Sequence, residues 1–207
     1  MAHVPAEERR AQLITAAIDL MTRKGATAGT TRAVAAELGV AQATVHYVFG
    51  SKEELYRAVI GRLTEDIVDA VHGFEIPAGV DFERSIAELT SGLWQTVLDQ
   101  TGKHRLLNEL SVSALRSSPL RDVLRENRDS VELVTAGLID ATAQHFGVTP
   151  AVETLYLARY FLSTFDGLAL RHMSIADPEF EDWCLASLVE STIALVHGRL
   201  RTQSATV

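Results

Sequence analysis

The sequence predicts an all-α chain of about nine helices, and three observations predict it. Apolar residues recur at spacings of three and four, and no stretch alternates with a period of two. Proline follows a capping residue at Ser118-Pro119, Thr149-Pro150 and Asp177-Pro178. A side-chain oxygen followed by proline suits a helix start, where the first N–H has no partner to lose. The chain has 207 residues, 47% hydrophobic and 22% charged, which is ample for a packed core and excludes disordered and collagen-like classes. A single cysteine, Cys184, excludes an internal disulfide. The longest apolar stretches are broken by Asp140 or Glu190, short of the roughly 18 residues a membrane helix needs. Met1-Ala2-His3 runs early into Glu7 and Glu8 without a secretory pattern, so a cytoplasmic chain with no membrane partner is expected.

The elements follow in order. Leu13, Ala16, Ala17, Leu20 and Met21 form one face of a first helix that ends at Lys24-Gly25. Thr30 or Thr31 caps a short second helix carrying Val34, Ala35 and Leu38, stopped by Gly39. A third short helix runs from about Gln42 to Phe49. Ser51-Lys52-Glu53-Glu54 is a capping box opening a fourth helix with Leu55, Val59, Leu63, Ile67 and Val71 on one row. Ile76-Pro77-Ala78-Gly79 reads as a loop, followed by helices over about 81–100 and 103–116 that meet at Gly102. The three prolines then predict helix starts at 119, 150 and 178. Phe146-Gly147 closes the first of these and Gly198 caps the last.

Charge is unevenly spread. The net charge is −8, yet residues 1–62 hold eight Lys and Arg against six Asp and Glu, a balance of +2. Residues 63–207 hold 11 against 21, a balance of −10. A mildly basic head on an acidic body is a partner signal, and it predicts that only the head approaches a polyanion.

The segment from Thr30 to Phe49 carries the chemistry. Two helices of about eight residues joined by a short turn with glycine make a helix-turn-helix. Ala35 and Ala36 are small where the helices must cross, and Gly39 allows the turn a positive φ. Val34, Leu38, Val40, Val45 and Phe49 supply a small core. The second helix presents Gln42, Ala43, Thr44, His46 and Tyr47 and carries no acid, as a helix entering a phosphate-lined groove requires. On pattern alone a buried helical hairpin of an ordinary all-α protein is the alternative.

Arg10-Ala11-Gln12-Leu13-Ile14-Thr15-Ala16-Ala17, Lys24-Gly25, Thr30-Thr31-Arg32, Val34-Ala35, Leu38-Gly39-Val40, Phe49 and Ser51-Lys52-Glu53-Glu54-Leu55 agree in register with a known pattern. Residues 8–60 resemble the DNA-binding domain of the TetR family of bacterial transcriptional regulators. Three positions depart from it. Ala41 stands where the family has a capping serine, His46 where it has tyrosine, and Val48 where it has histidine. The resemblance implies a helix-turn-helix domain over residues 1–50, a linking helix over 51–74, and a helical effector-binding and dimerisation domain over 75–207. It also implies a ligand-responsive repressor that binds a palindromic double-stranded DNA operator as a homodimer and is released by a small-molecule effector.

Roles follow for single residues. Gln42 and His46 are candidates for reading base edges, glutamine pairing with adenine and histidine donating to guanine. Arg32 matches a family position that reaches a base or a phosphate. Ala43 shares the presented face, and Thr44, Tyr47, Lys52 and the amides at the Ser51 helix start are expected on the phosphate backbone. Arg9 and Arg10 are terminal charges, either on phosphate or in solvent. Phe165, Leu168, Leu185, Leu188, Val189 and Thr192 are expected in a dimer interface, with Gly167 and Ala169 allowing close approach; an intramolecular core is the alternative for each of them. Trp94, His104, Asn108, Tyr156, Phe161 and Asp166 are expected around an effector, with Asp166 free to pair with Arg171 or His172 instead. Effector and DNA would be linked reciprocally, with the fourth helix as lever.

The rival classes are an all-helical enzyme and a protein-binding adaptor with a helix-turn-helix-like hairpin. The sequence has no phosphate-cradling glycine loop, nucleophile elbow or His-Glu-x-x-His. Its seven histidines (His3, His46, His72, His104, His145, His172, His197) lie at least 25 residues apart. No enzyme activity, catalytic residue, metal or cofactor is expected.

Overall fold

A computed structural model describes residues 4–76 and 79–200, leaving aside the side chains of Ser118 and Pro119. His3, Pro77, Ala78 and the Ser118 capping side chain, named above, lie outside the described residues. Among those described there are nine α-helices, one 3₁₀ turn and no strand. The helices are α1 (Ala6–Lys24), α2 (Thr31–Leu38), α3 (Gln42–Phe49), α4 (Lys52–His72), α5 (Phe82–Asp99), α6 (Thr101–Ala114), α7 (Ser118–His145), α8 (Thr154–Ser174) and α9 (Pro178–Val196). None is long and apolar enough to cross a membrane.

The chain divides into two compact units. The first runs to Asp66 and also takes Gln100–Arg128; the second takes Ile67–Asp99 and the chain from Asp129 on. Helices α4 and α7 therefore each begin in the first unit and end in the second.

The first unit is built on the predicted row of α1. Leu13, Ala17, Leu20 and Met21 are at most 3% exposed and pack with Val34, Val45, Leu55 and Ile60. Glu7 and Glu8 in the first turn and Arg23 and Lys24 in the last turn match the helix dipole at both ends. Leu106, Leu110 and Ala114 of α6 close the same core. The junction expected at Gly102 lies instead at Gln100, with Gly102 in the first turn of α6. A side chain there would put its Cβ 2.6 Å from Cγ2 of Thr22, so this glycine serves the close approach of α6 to α1 rather than a helix break.

The second unit holds two apolar clusters. Phe82, Ile86, Ile139, Leu157 and Val196 form one; Trp94, Val97, Phe161, Phe165, Leu168 and Leu188 form the other. Two expected helix starts can be compared directly. Asp177 does cap α9, accepting the N–H of Phe180 at 3.3 Å with Pro178 in the first turn. Pro150 does not open α8: the helix begins at Thr154, behind Glu153. The reason is tertiary, because the N–H of Ala151 donates to the carbonyl of Val196 at 2.8 Å and ties this stretch to the end of α9.

Among the described residues of this unit, the buried charge is Glu181, in the first turn of α9. Glu181 is 3% exposed, and its Oε1 accepts the N–H of Asp177 at 2.9 Å and lies 3.0 Å from Nδ1 of His172. Burial alone raises the carboxyl's pKa. The Asp177 N–H, the His172 hydrogen bond and the charge of Arg171 outweigh it and hold Glu181 below its ordinary value.

Candidate nucleic-acid interface and effector cavity

The geometry of α2 and α3 starts from caps. Oγ1 of Thr30 accepts the N–H of Ala33 at 3.2 Å, which fixes Thr30 as the cap and makes Thr31 the first helical residue. Gly39 ends α2 at φ 69°, in the left-handed region, and the N–H of Val40 returns to the carbonyl of Ala35 at 2.9 Å. Val34 and Val45 are fully buried and Phe49 nearly so, with Leu38 and Val40 packed beside them, which locks the two helices together. Ala35 lies in this contact, but Ala36, expected there too, faces solvent on the far side of α2.

This packing turns one side of α3 outward. Gln42, Ala43, His46 and Tyr47 are exposed, Tyr47 by 88%, while Thr44 is half-buried. No acid stands on α3. Ala41 makes no side-chain cap, and its carbonyl instead takes the N–H of Thr44 at 2.9 Å. Arg32 is exposed near the start of α2. Ser51 caps α4 as the sequence predicts, its Oγ accepting the N–H of Glu54 at 3.1 Å. Lys52 places its ammonium 4.9 Å from the ring centre of Tyr56, and the Tyr56 hydroxyl donates to the carbonyl of Ala26 at 2.6 Å. Arg10 stands 5.3 Å over the ring of Phe49, and Arg9 donates to Oε1 of Gln12 at 2.9 Å, so both terminal arginines have partners within the chain.

The eight residues expected at DNA thus fall on α2, α3 and the start of α4, in one unit. Sequence reasoning passed over Thr31, taken only as an alternative cap. Its hydroxyl meets Nε2 of Gln42 at 3.3 Å. The threonine pair at 30 and 31 was the available signal: one caps, and the other is left for a different task.

The residues expected around an effector are dispersed. Trp94 and Phe161 share one buried cluster of the second unit, where Trp94 meets Phe165 and His172 edge-on at 5.8 and 5.5 Å. Tyr156 is 61% exposed, and Asp166 is half-buried on α8. Arg171 and His172, considered as its partners, face Asp177 and Glu181. His104 and Asn108 stand on α6, in the first unit, where Asn108 donates to the carbonyl of His104 at 3.0 Å.

A cavity of about 40 Å³ does occur within the second unit, bounded by α5, α7, α8 and α9. Phe161 lines it, with Leu89, Leu138 and four threonines: Thr90, Thr135, Thr142 and Thr192. The hydroxyls of Thr90, Thr142 and Thr192 donate to carbonyls of their own helices at 2.7 to 2.8 Å. Their polar ends are satisfied there, and the wall is in effect hydrocarbon.

The residues expected between subunits are largely turned inward within this one chain. Phe165, Leu168, Leu188 and Thr192 are 1 to 7% exposed within this one chain, and Leu185 and Val189 are half-buried against the same clusters. The contact of α8 with α9 draws the bulky rows inward, and Ala169 is buried with them. The outward side carries Tyr160, Ser163, Thr164, Gly167 and Leu170 of α8 and Trp183, Ala186 and Glu190 of α9. The Tyr160 hydroxyl donates to Oγ of Ser191 at 2.9 Å and ties the two helices on that side.

A helix-turn-helix with an acid-free exposed second helix is the arrangement by which DNA-binding regulators enter the major groove. Comparison makes the class specific. Residues 13–59 match the family described as bacterial regulatory proteins, tetR family. The chain is 27% identical over 179 residues to the HTH-type nicotine-responsive transcriptional repressor HdnoR of Paenarthrobacter nicotinovorans, covering 86% of this chain and 90% of that protein. It is 27% identical to the multidrug binding protein EbrR crystallised with ethidium, at a TM-score of 0.69, covering 88% of this chain and 98% of the other. The fold is also that of a TetR transcription regulator from Haloarcula marismortui, with TM-score 0.72 and 22% identity over 93% of this chain and 98% of the other. Over residues 13–59 the chain thus matches the helix-turn-helix of tetR-family regulators, on a fold shared with TetR-type proteins.

Proposed function

We propose that this chain is a repressor that binds a palindromic operator as a homodimer and leaves it when a small, largely apolar effector binds. The observation that carries the reading is the exposed face of α3, where Gln42, Ala43, His46 and Tyr47 project without an acid beside them. Arg32, Gln42 and His46 address bases, while Thr44, Tyr47, Lys52 and the N-terminal amides behind Ser51 hold phosphates. Residues 1–50 act as the reading head and 51–74 as the linking helix. Residues 75–207 supply effector binding and dimerisation, although Gln100–Arg128 packs with the head. Its site of action is the cytoplasm, where the operator is.

One recognition helix reads only a few base pairs, so a symmetric pair is needed for a specific site. The interface we propose is the outward side of α8 and α9 around Gly167, where an added Cβ would meet nothing within 4 Å and a partner helix can come close. The effector site is the threonine-lined cavity. At about 40 Å³ it is far below the several hundred cubic ångströms of an ordinary ligand pocket, so binding must widen it. Its hydrocarbon wall favours an apolar body. An effector that favours the widened form lowers DNA affinity, and DNA lowers effector affinity by the same factor. Helix α4, continuous from Lys52 at the phosphates to His72, is the lever.

Selection of bound sequences from a random duplex pool tests the reading. A palindrome with half-sites about one helical turn apart is expected. Enrichment of no sequence, or of an undivided single site by a monomeric protein, overturns it and favours an adaptor.

A further inference from the structure

Thr31, Gln42 and His46 form a closed triangle on the exposed side of the helix-turn-helix. Nε2 of Gln42 lies 3.3 Å from Oγ1 of Thr31 and 3.3 Å from Nε2 of His46, and the third side, Oγ1 to Nε2 of His46, is 3.5 Å. Thr31 opens α2, while Gln42 and His46 stand one turn apart on α3, so the triangle bridges the two helices. The two ends of a carboxamide differ: nitrogen only donates and oxygen only accepts. Here the nitrogen end is turned toward the Thr31 hydroxyl and toward a ring nitrogen that accepts when the imidazole proton sits on Nδ1. The carbonyl Oε1 is the end left for a base.

We infer that Thr31 is a positioning residue that fixes the Gln42 amide as a hydrogen-bond acceptor, making α3 select an amino base over a keto base. In the major groove adenine N6 and cytosine N4 donate, whereas guanine N7 and O6 and thymine O4 accept. An untethered glutamine serves either set, because rotation about its terminal bond exchanges N–H₂ for C=O. A glutamine whose nitrogen end is engaged within the protein offers only the acceptor, and a keto base opposite it faces oxygen with oxygen. The same triangle makes His46 a second tether for Gln42, its Nε2 accepting a hydrogen bond from the amide when the ring proton sits on Nδ1. The inference rests on α3 being the recognition helix.

The test is the random-pool selection, run with the wild type, Thr31→Val, Thr31→Ser and Gln42→Ala. Valine keeps the shape of threonine and removes the acceptor; serine keeps the hydroxyl. The wild type is expected to show one position in each half-site restricted to adenine or cytosine, lost in Gln42→Ala. Thr31→Val should weaken discrimination against guanine and thymine at that position about fivefold, the effect of one hydrogen bond of roughly 1 kcal/mol. The other positions should keep their preferences, and Thr31→Ser should keep the whole wild-type profile. Adding Thr31→Val to Gln42→Ala should change that position no further, as expected of a coupled pair. Three outcomes overturn the inference while leaving the regulator reading intact. They are a wild-type preference for guanine or thymine where Gln42 reads, an unchanged profile in Thr31→Val, and an equal loss at every position. A wild type that enriches no duplex removes both.

Discussion

The carboxylate of Glu109 accepts the backbone N–H of Ala26 at 2.7 Å across 83 residues of chain. Ala26 opens the 3₁₀ turn (Ala26–Ala28) that leads from α1 into α2, and its carbonyl takes the hydroxyl of Tyr56 at 2.6 Å. The residue is thus held at its N–H by α6 and at its carbonyl by α4. Helix α6 further donates from Arg105 to the carbonyl of Thr22 at 3.1 Å, so the end of α1 is held from the same helix. Glu109→Ala should destabilise the protein by about 1 kcal/mol, the partly exposed carboxylate keeping the figure low. For a chain of this length that corresponds to a fall in melting temperature of roughly 2–4 °C, with Glu109→Gln recovering part of it. An unchanged melting curve in Glu109→Ala would show that water replaces the carboxylate without loss.

Lys52 stands in the first turn of α4 with its ammonium against the face of Tyr56, which pins a flexible side chain at the start of that helix. A phosphate contact carries no sequence information, so Lys52→Ala should weaken binding to every duplex alike. Its slope of log affinity against log salt should be shallower by about one. Binding measured across a salt series checks both. A change in base preference with an unchanged slope would place Lys52 on a base instead.

How far the sequence could be read depended on the range of the interaction involved. The caps Thr30, Ser51 and Asp177 bond to residues three positions away, so local residue types sufficed for Ser51 and Asp177 and narrowed the α2 cap to Thr30 or Thr31. Gly39 was legible for the same reason, since the short turn between α2 and α3 demands a positive φ. Pro150 misled because a long-range bond from Ala151 to Val196 outweighed the local helix signal. Gly102 misled because steric closeness to Thr22, 80 positions earlier, leaves no mark in the local pattern. The bulky rows of α8 and α9 were legible as buried, but periodicity does not say whether a stripe meets its own chain or a second copy. Of the effector candidates only Phe161 lines the cavity, whose wall is mostly threonine and leucine, residue types that announce nothing.

Glu181 gives the stability of the second unit a dependence on pH. Its pKa is depressed in the folded chain, so its contribution is full above the ordinary carboxylate value of 4.5 and is lost as pH falls through the lower folded value. Glu181→Gln removes the charge but keeps an acceptor for the Asp177 N–H. It should be less stable than the wild type by about 2 kcal/mol at neutral pH, the scale of a hydrogen bond to a charged group. The gap should persist down to pH 4.5 and narrow only at more acid pH. Denaturant titrations at several pH values read this directly. A gap that stays constant into strong acid would mean that packing, not ionisation, separates the two proteins.

Phe161 offers a test of the cavity that does not need the natural effector. Its ring is 6% exposed, stacks on Phe165 at 5.8 Å and forms part of the cavity wall. Phe161→Ala removes the ring beside an existing void of about 40 Å³, so the neighbours start from an incomplete packing that cannot easily collapse. The loss should fall in the range of about 3–5 kcal/mol found for buried phenylalanines. The new space is bounded by leucine, isoleucine and threonine side chains, and the hydroxyls of Thr90, Thr142 and Thr192 are engaged with their own helices, so it should stay dry and accept a small aromatic molecule. Indole at a hundred times its dissociation constant should restore about 2.7 kcal/mol by mass action, read as a rise in melting temperature. The wild type should respond far less, because its cavity has no room for the ring unless the helices part. A destabilised Phe161→Ala that indole does not stabilise would show that the void fills by collapse of α5, α7, α8 and α9, and that this cavity is not poised to widen around a ligand.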